Sequence, residues 1–399
     1  MAVLENRPEC SGCGACANIC PKGAIKMVED KGSFLTPHVD KELCVECGLC
    51  EKTCPVDHTV FLPVDEVRAY VGRHNSDDVY FNSSSGGAFI ALCEIYIKKG
   101  YKIHGAEFTE DLRVIHSESS SLEDCERFRK SKYIQSSDNG CYERAASDLK
   151  AGNKVLFSGT PCQCAALDAY LKAKDIRDTD LVTVSVLCHG VPSQKMFDSY
   201  IKEEERAEGA KVVSYTFRNK LPIRNKVNSR TAYAEFDNGK KYIRTMEKDP
   251  FLRGYYRHLF FRESCYLCKY ARKERVSDFT ISDAWNIERI RDKYDTLTGT
   301  SLLLLNSEKA KSVLGEIEAL MSLEEIPADW ALVSQKILSK PTPLHRNRDM
   351  FFSLWPEKGF RQAVFESTRA TFRERIAALI PSGIRNRLIA VLYPIKPDK

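Results

Sequence analysis

The order of apolar and polar positions divides the middle of the chain into alternating strands and helices. Residues 155–157 and 181–187 are apolar runs rich in β-branched residues, which is typical of buried strands. Each run leads through a short turn, at 158–161 and at 188–190, into a helical pattern, the second over about 194–205. Such strand–turn–helix units predict an α/β domain with functional residues at the C-terminal ends of its strands.

Other stretches extend this pattern on both sides. Strands are predicted at 67–71, 278–282 and 302–305, and a helix at 88–98 follows a serine-glycine segment. Residues 212–245 are predicted instead to form an antiparallel meander, because Asp-Asn-Gly provides a hairpin turn between two strand-like runs.

Two cysteine runs near the N-terminus add chemistry to this outline. The first is Cys10, Cys13, Cys16 and Cys20 followed by Pro21, and the second is Cys44, Cys47, Cys50 and Cys54 followed by Pro55. Both have the spacing C-x2-C-x2-C-x3-C-P of bacterial two-cluster ferredoxins, in which the fourth cysteine of each run ligates the other cluster. One [4Fe–4S] cluster is therefore expected on Cys10, Cys13, Cys16 and Cys54, and the other on Cys44, Cys47, Cys50 and Cys20. Structural zinc is the alternative, although zinc modules usually pair two C-x2-C motifs across a longer gap.

The composition is that of an ordinary globular protein, with 43% hydrophobic and 29% charged residues in 399. The first residues show no apolar signal region, so the sixteen cysteines are interpreted as metal ligands and thiols of a reducing cytoplasm. The expected organisation is α+β to α/β: a ferredoxin module over 1–60, a mixed α/β flavin-binding domain in two parts, 65–150 and 151–335, and a helical basic tail over 340–399.

The tail has twelve basic and five acidic side chains, although the net charge of the whole chain is only +5. Its apolar residues from 360 onward have helical spacing, Pro381 is expected to break the helix, and a second helix is expected over 384–392. Such helices either lie on an anionic membrane surface or pack on the core or on a partner subunit, and packing is the preferred interpretation. A nucleic-acid partner is not expected.

Four further cysteines suggest another metal site. They are Cys162 and Cys188, each at a predicted strand end, and the pair Cys265 and Cys268. Spacing alone does not separate a third four-cysteine site from ordinary buried thiols. Cys93, Cys125, Cys141 and Cys164 match no motif and are interpreted as packing residues.

A set of motifs in a fixed order resembles the coenzyme F420 hydrogenase/dehydrogenase beta-subunit family over about residues 65–305. The motifs are Ser83–Gly87 of sequence SSSGG, 131–136 of sequence SKYIQS, 159–163 of sequence GTPCQ, 188–192 of sequence CHGVP, and C-x2-C with Arg275-x-Ser277-Asp278. The resemblance implies FAD beside a third [4Fe–4S] cluster on Cys162, Cys188, Cys265 and Cys268. The usual Gly-Asp-aromatic-Trp-Gly motif reads Ser282-Asp283-Ala284-Trp285-Asn286, without either glycine, which puts F420 itself in doubt as the acceptor.

A flavin also suits the chemistry, because it couples one-electron clusters to two-electron hydride transfer. The residues expected to bind it are Ser84, Ser85, Gly86, Gly87, Lys132, Tyr133, Gln135, Gly159 and Thr160. His189 is the candidate proton donor, although a loop histidine of purely structural role is equally consistent with its position. The basic segment from Arg218 to Arg230 is interpreted as a solvated loop, with an anion-binding role as the alternative.

These observations predict an iron–sulfur flavoprotein oxidoreductase. Electrons would pass from reduced ferredoxin or another redox protein through the clusters to FAD and a small organic acceptor. The rival prediction is a non-catalytic electron-transfer subunit of a larger redox complex. The acceptor and the direction of electron flow are not fixed by the sequence.

Overall fold

The computed structural model describes residues 4–64, 67–223, 226–294 and 298–369. Its strands are β1 Ile25–Glu29, β2 Leu35–Val39, β3 Arg68–His74, β4 Tyr101–Phe108, β5 Val114–Ser119, β6 Lys154–Gly159, β7 Leu181–Val186, β8 Val212–Ile223, β9 Lys226–Phe236, β10 Lys241–Thr245, β11 Phe279–Asp283, β12 Ser301–Leu305 and β13 Met321–Ile326. Its α-helices are α1 Ala15–Ile19, α2 Leu49–Lys52, α3 Asp77–Phe81, α4 Ala88–Lys98, α5 Cys141–Lys150, α6 Pro161–Ala173, α7 Gln194–Glu208, α8 Pro250–Tyr256, α9 Glu263–Tyr266, α10 Glu308–Lys311, α11 Leu314–Leu320, α12 Ala328–Ser334, α13 Arg348–Lys358 and α14 Phe360–Ser367. Short 3-10 turns lie at Asp124–Phe128, Ile287–Arg289 and Lys336–Leu338.

A mixed sheet of eight strands forms the centre of the fold, in the order β13-β3-β12-β11-β7-β6-β4-β5. The pairs β4–β6, β6–β7 and β7–β11 are parallel, and the outer pairs are antiparallel. Strands from both halves predicted for the α/β domain therefore share one sheet, with β3 paired between β12 and β13. The prediction of a mixed α/β architecture is confirmed, including the strand–turn–helix units built on β6 and β7.

Local sequence explains where the central helices begin. Thr160 forms a capping box with Gln163 at the start of α6, and Pro161 occupies the first turn, where its missing N–H has no helical acceptor to lose. The Ser193 hydroxyl accepts a hydrogen bond from the backbone N–H of Met196 and caps α7. Both helices therefore start directly after the strand ends that lead into them.

The N-terminal module consists of the hairpin β1–β2 and the short helices α1 and α2. Each helix follows a glycine with positive φ, Gly14 at 82° and Gly48 at 70°, a conformation that glycine adopts without strain. Ala15 and Ile19 of α1 are buried in the same apolar cluster as Tyr142 of α5 and other residues of α6. The module is therefore packed directly on the α/β domain.

The predicted meander is confirmed as an antiparallel sheet in the order β10-β9-β8. An aromatic core joins it to the flanking helices, with members from four elements that are all less than 2% exposed: Phe197 of α7, Phe217 of β8, Phe251 of α8 and Phe360 of α14. These rings lie 5.3 to 5.8 Å apart where they are neighbours, within the usual range for aromatic pairs.

The described part of the basic tail is packed on this core. Helix α14 begins at Phe360, as the spacing predicts, and the Arg361 guanidinium donates to the buried Glu204 carboxylate of α7 at 2.6 Å. The expected continuation beyond residue 369, with its break at Pro381 and the helix over 384–392, lies outside the described residues. Within the described residues, no helix is long and apolar enough to cross a bilayer.

Candidate functional site

The eight cysteines of the N-terminal module lie in two neighbouring groups. Cys20 lines a small cavity whose other cysteines all come from the second run. Cys16 belongs to the other group: burial raises its pKa to about 12, and the nearby Cys10 and Cys54 raise it further. This grouping is the crossed arrangement that the ferredoxin spacing predicts.

The two groups differ in their surroundings. Cys47 of the second run is exposed to solvent, whereas Cys13 of the first run lines a large internal cavity. Backbone N–H groups donate to sulfur in both groups, from Gly12 to Cys10 at 3.4 Å and from Ala24 to Cys20 at 3.3 Å. Such donors are typical of iron–sulfur sites, where they help to set the reduction potential.

The large cavity has a volume of about 830 Å³ and lies at the C-terminal ends of β6 and β7. Its lining includes the four cysteines of the predicted third site: Cys162, Cys188, Cys265 and Cys268. They are close neighbours, because the pKa of Cys188 is raised well above its usual value first by burial and then by the other three. The fold therefore brings two strand-end cysteines to the C-x2-C pair that begins in α9.

Thr160 is hydrogen-bonded to one of these cysteines. Its hydroxyl lies 3.1 Å from the Cys162 sulfur and 3.0 Å from the Gln163 side-chain oxygen. The hydroxyl lowers the pKa of Cys162, although burial raises it more strongly. The structure therefore places Thr160 against the cysteine site, where it can donate to a thiolate.

Arg275 packs against the opposite part of the same cysteine group. Its side chain is 2% exposed, lines the cavity and lies near Cys268 and Cys188. One terminal nitrogen, Nη1, donates to the carbonyls of Tyr270 and Arg272 at 3.0 and 3.1 Å. The other, Nη2, is buried with no hydrogen-bond partner in the described part of the chain.

The serine-glycine segment forms another part of the cavity wall. Ser84, Ser85 and Gly87 line it, and the Ser85 hydroxyl is buried without a partner among the described residues. Gly86 requires a correction, because it is not among the lining residues. Its N–H donates to the Ser301 hydroxyl at 2.9 Å, and a Cβ there would come within 2.2 Å of the Gly72 carbonyl oxygen. The close backbone approach at Gly86 is therefore to β3 and not to a ligand.

Lys132 and Tyr133 also line the cavity. The Lys132 ammonium donates to the carbonyls of Arg127 and Arg129 at 2.9 and 2.7 Å, and burial lowers its pKa to about 7. The Tyr133 ring stacks on Tyr255, with centroids 4.2 Å apart and planes 6° from parallel. Both side chains are held firmly at the wall.

Gln135 has a different role from the predicted ring contact. Its amide nitrogen donates to the carbonyls of Ser11 and Gly12 at 2.9 and 3.0 Å, and its amide oxygen accepts from Arg262 at 3.0 Å. Both ends of the amide are thus used to hold the N-terminal module. This residue joins two parts of the protein and does not offer its amide to a cofactor.

His189 lines the cavity beside a second histidine. The rings of His189 and His258 are parallel to within 7° with centroids 6.4 Å apart, and burial lowers the pKa of His189. Its lowered pKa favours the neutral ring, which can both donate and accept a hydrogen bond. Its place at the cavity agrees with the predicted proton-donor role, which stays a prediction.

The interpretation of the basic segment as a solvated loop is wrong for its first members. Arg218 and Lys220 lie on β8 and are 3% and 7% exposed. Arg218 makes a two-pronged ion pair with Asp283, one contact of which is 3.0 Å long. The Lys220 ammonium donates to the Ser85 carbonyl at 2.5 Å, so it braces the cavity wall.

Asn286 stands at the second position where the family motif has glycine. Its φ is 62°, in the left-handed region that asparagine tolerates better than most residues. The backbone conformation expected of glycine is therefore retained without glycine, and Asn286 adds a polar side chain to the cavity lining.

The described residues contain no group of three or more His, Cys, Asp or Glu side chains arranged to hold a single metal ion. The cysteine groups are therefore more open than a one-ion site, in which four ligands meet one atom at about 2.3 Å. A cubane of four iron atoms separates its cysteine ligands further.

Comparison with known proteins gives two family matches on this chain. Residues 152–329 match the C terminus of the coenzyme F420 hydrogenase/dehydrogenase beta subunit, and residues 9–58 match the 4Fe-4S dicluster domain. The F subunit of the F(420)H(2) dehydrogenase of Methanosarcina mazei is 24% identical over 227 residues, which are 52% of this chain and 62% of that protein. The chain thus spans less than two thirds of the length of that relative. A 7Fe ferredoxin of Hydrogenibacillus schlegelii is 32% identical over 79 residues, which are 18% of this chain and 92% of the ferredoxin.

Among solved structures, a chain of the F420-reducing [NiFe] hydrogenase complex of Methanosarcina barkeri is similar. It has a TM-score of 0.45 and 16% identity, over 75% of this chain and 90% of that one. The matched segments define an iron–sulfur electron-transfer protein of the oxidoreductase type. The chain belongs to the coenzyme F420 hydrogenase/dehydrogenase beta-subunit family and has an N-terminal 4Fe–4S dicluster domain, in agreement with its motifs.

Proposed function

We propose that this chain is an iron–sulfur flavoprotein oxidoreductase that delivers electrons through three [4Fe–4S] clusters and FAD to a small organic acceptor. One observation carries the proposal. A single cavity of about 830 Å³ is lined both by the four cysteines of the third site and by the serine and lysine segments expected to hold a flavin. Its volume is within the range of about 300–1,000 Å³ common for cofactor sites.

The order of the electron path follows from exposure and contact. Cys47 is exposed, so the second-run site is the one that a protein donor reaches from solvent. Cys13 of the inner site lies near Cys162 and shares the large cavity with it. Electrons would therefore enter beside Cys47, pass to the group containing Cys13 and continue to the group containing Cys162.

Two unpaired polar atoms support the fit of the absent groups. Among the described residues, the buried Nη2 of Arg275 lacks an acceptor beside the cysteines, as expected if an anionic cluster belongs there. The buried Ser85 hydroxyl likewise lacks a partner there, in the wall assigned to the flavin. A bound flavin would convert single electrons to hydride equivalents. Tyr133 and Lys132 would bound its site, and His189 would hold a proton near it.

The acceptor is proposed only as a class. Arg230 and Asn286 line the cavity, and the Arg230 guanidinium lies over the Trp285 ring at 4.4 Å. A planar organic acceptor would find an aromatic and cationic wall there. Because the relative from Methanosarcina mazei is one subunit of a dehydrogenase, the alternative is an electron-transfer subunit that wires a partner enzyme.

Iron and flavin analysis of anaerobically purified protein tests the proposal. Three clusters require about twelve iron atoms per chain, and Cys162→Ser should retain about eight. Cys164→Ser is the matched control, because Cys164 is fully buried in α6 and matches no motif. Eight iron atoms in the unaltered protein would exclude the third cluster, and zinc in place of iron would exclude the whole proposal.

A second measurement separates the enzyme from the electron-transfer subunit. Purified protein is given reduced ferredoxin and a panel of low-molecular-weight acceptors. Turnover of any acceptor by the isolated chain supports the enzyme. Cluster and flavin reduction without turnover of any acceptor supports the subunit.

A further inference from the structure

Two buried arginines adjoin the third cysteine site without a carboxylate partner in the described chain. Arg275 donates through Nε and Nη1 only to a hydroxyl and two carbonyls, and its Nη2 has no partner among the described residues. Burial lowers its pKa to about 10, which is the effect of an uncompensated cation in a poorly solvated place. Its nearest charged neighbours are cysteines of the site, Cys268 first.

Arg262 occupies the other flank, between the third site and the N-terminal module. It is 3% exposed, and its acceptors are the Gln135 amide oxygen and the carbonyls of Leu35 and Cys10. Its positive charge lowers the pKa of both Cys162 and Cys265. No carboxylate of the described residues lies within ion-pair distance of it.

Other buried arginines of this protein have acidic partners. Arg218 pairs with Asp283, and Arg129 pairs with Glu126. A buried guanidinium is costly to retain without a counter-charge, so its presence at two positions around one group of cysteines requires a compensating anion. Four cysteine thiolates around an iron–sulfur cube supply a net negative charge at that position.

We propose that Arg262 and Arg275 are the counter-charges of the third cluster and that they raise its reduction potential. The inference rests on the proposed function, because it requires a cluster on these cysteines. Reduction adds one electron to this site and no proton, and the neighbouring N-terminal cluster loses that electron. Two fixed positive charges favour the added negative charge, and cluster potentials depend on local charge and hydrogen bonding.

Arg275 is the better residue to alter, because none of its side-chain hydrogen bonds reaches the N-terminal module. The variants are Arg275→Met, which removes the charge at similar length, and Arg275→Lys, which retains it. Arg68→Met is the control, because Arg68 is a surface residue paired with Glu325 on the far strands β3 and β13. Redox titration monitored by EPR gives the potential of each cluster in the intact protein.

The expected result is a third-cluster signal at least tenfold harder to reduce in Arg275→Met, which is about 59 mV more negative for one electron. Arg275→Lys should stay close to the unaltered protein, and Arg68→Met should not differ from it. Chelator challenge should release the four iron atoms of this cluster faster from Arg275→Met. If Arg275→Met does not fold, Arg262→Met provides the same measurement with the same expected direction.

Two results would overturn the inference. One is an unchanged potential and unchanged iron retention in the methionine variants. The other is an equal shift in Arg275→Met and Arg275→Lys, since that would assign the effect to packing and not to charge. Failure of the proposed function is distinguishable, because the unaltered protein would then contain only about eight iron atoms and show no third signal at all.

Discussion

The Arg262 guanidinium donates to the Gln135 amide oxygen at 3.0 Å, and this contact joins the α/β domain to the N-terminal module. Gln135 passes the connection on to the carbonyls of Ser11 and Gly12, inside the loop of the first cysteine run. A Cβ on Gly12 would lie 2.4 Å from the Arg262 side chain, so only glycine permits this approach. The relative position of two cluster sites thus depends on a few hydrogen bonds.

Removal of this link should slow internal electron transfer. Gln135→Leu leaves the two carbonyls and one arginine nitrogen without their partners, at a cost of about 1–3 kcal/mol. We expect the N-terminal clusters of this variant to be reduced normally by dithionite or ferredoxin, with later and slower reduction of the third site in stopped-flow traces. Iron content should stay at that of the unaltered protein.

The matched control for this prediction is Gln194→Leu. Gln194 also uses both ends of its amide, but its partners are the backbone N–H of Val114 and the carbonyl of Leu112, both within the α/β domain. Equal slowing in both variants would mean that general destabilisation, and not the link between domains, causes the effect.

The hydroxyl of Thr160 should tune the third site. Thr160→Val removes the donor that lies 3.1 Å from the Cys162 sulfur, so the thiolate and the reduced cluster lose stabilisation. We expect a potential more negative by roughly 40 mV, the equivalent of about 1 kcal/mol for one electron. Thr160→Ser keeps both the hydroxyl and the helix cap and should match the unaltered protein in EPR-monitored titration. A normal potential in Thr160→Val would remove Thr160 from the electronic environment of the site.

His116 should make stability depend on pH in the acidic range. Its ring is fully buried between the Ser158 carbonyl and the Ser136 hydroxyl, and burial lowers its pKa to about 4 from the usual 6.5. The unfolded chain therefore binds a proton that the folded chain rejects between pH 6.5 and 4, so stability falls as the pH decreases through this window. The loss between about pH 7 and 5 amounts to about 2 kcal/mol for this one group.

His116→Gln should flatten that part of the pH profile, measured as the change in urea midpoint between about pH 7 and 5. His58→Gln is the control, because His58 is exposed. A profile for His116→Gln as steep as that of the unaltered protein would show that His116 is already protonated in the fold, against the burial argument.

The buried ion pair of Arg218 and Asp283 should be costly to break on one side. Asp283→Asn leaves the Arg218 guanidinium buried without its counter-charge, and we expect a loss of about 3–5 kcal/mol in the free energy of unfolding. The double variant Arg218→Met/Asp283→Leu removes both charges and should recover most of that loss. Thermal and denaturant unfolding of the two variants measure the difference. Equal destabilisation in both would assign the effect to shape at the cavity wall.

The parts of the fold that follow from local pattern could be predicted from the sequence. Helix α4 has the bounds 88–98 given by its apolar spacing, and the apolar runs form β6 and β7 with Cys162 and Cys188 just beyond their ends. These features depend on neighbours within one turn or one strand, so the signal lies inside a short window.

The contacts between distant segments leave no such signal. In the sequence Arg218 is one charge in a basic run, yet its partner Asp283 is 65 residues away. The motif around Gln135 predicts a cofactor contact, whereas its partners come from the N-terminal module. Arg262 precedes Cys265 with no recognisable spacing, and only the folded chain shows it between two groups of cysteines.

The place of β3 in the large sheet determines when the cavity can form during synthesis. β3 ends at His74, but its two neighbours, β12 and β13, begin only at Ser301 and Met321. The cysteine module emerges from the ribosome first and has its own hairpin and helices, whereas the wall anchored by Gly86 on Ser301 must wait for most of the chain. Iron–sulfur assembly can therefore act on the nascent protein, and loading of the large cavity is a late, post-synthetic event.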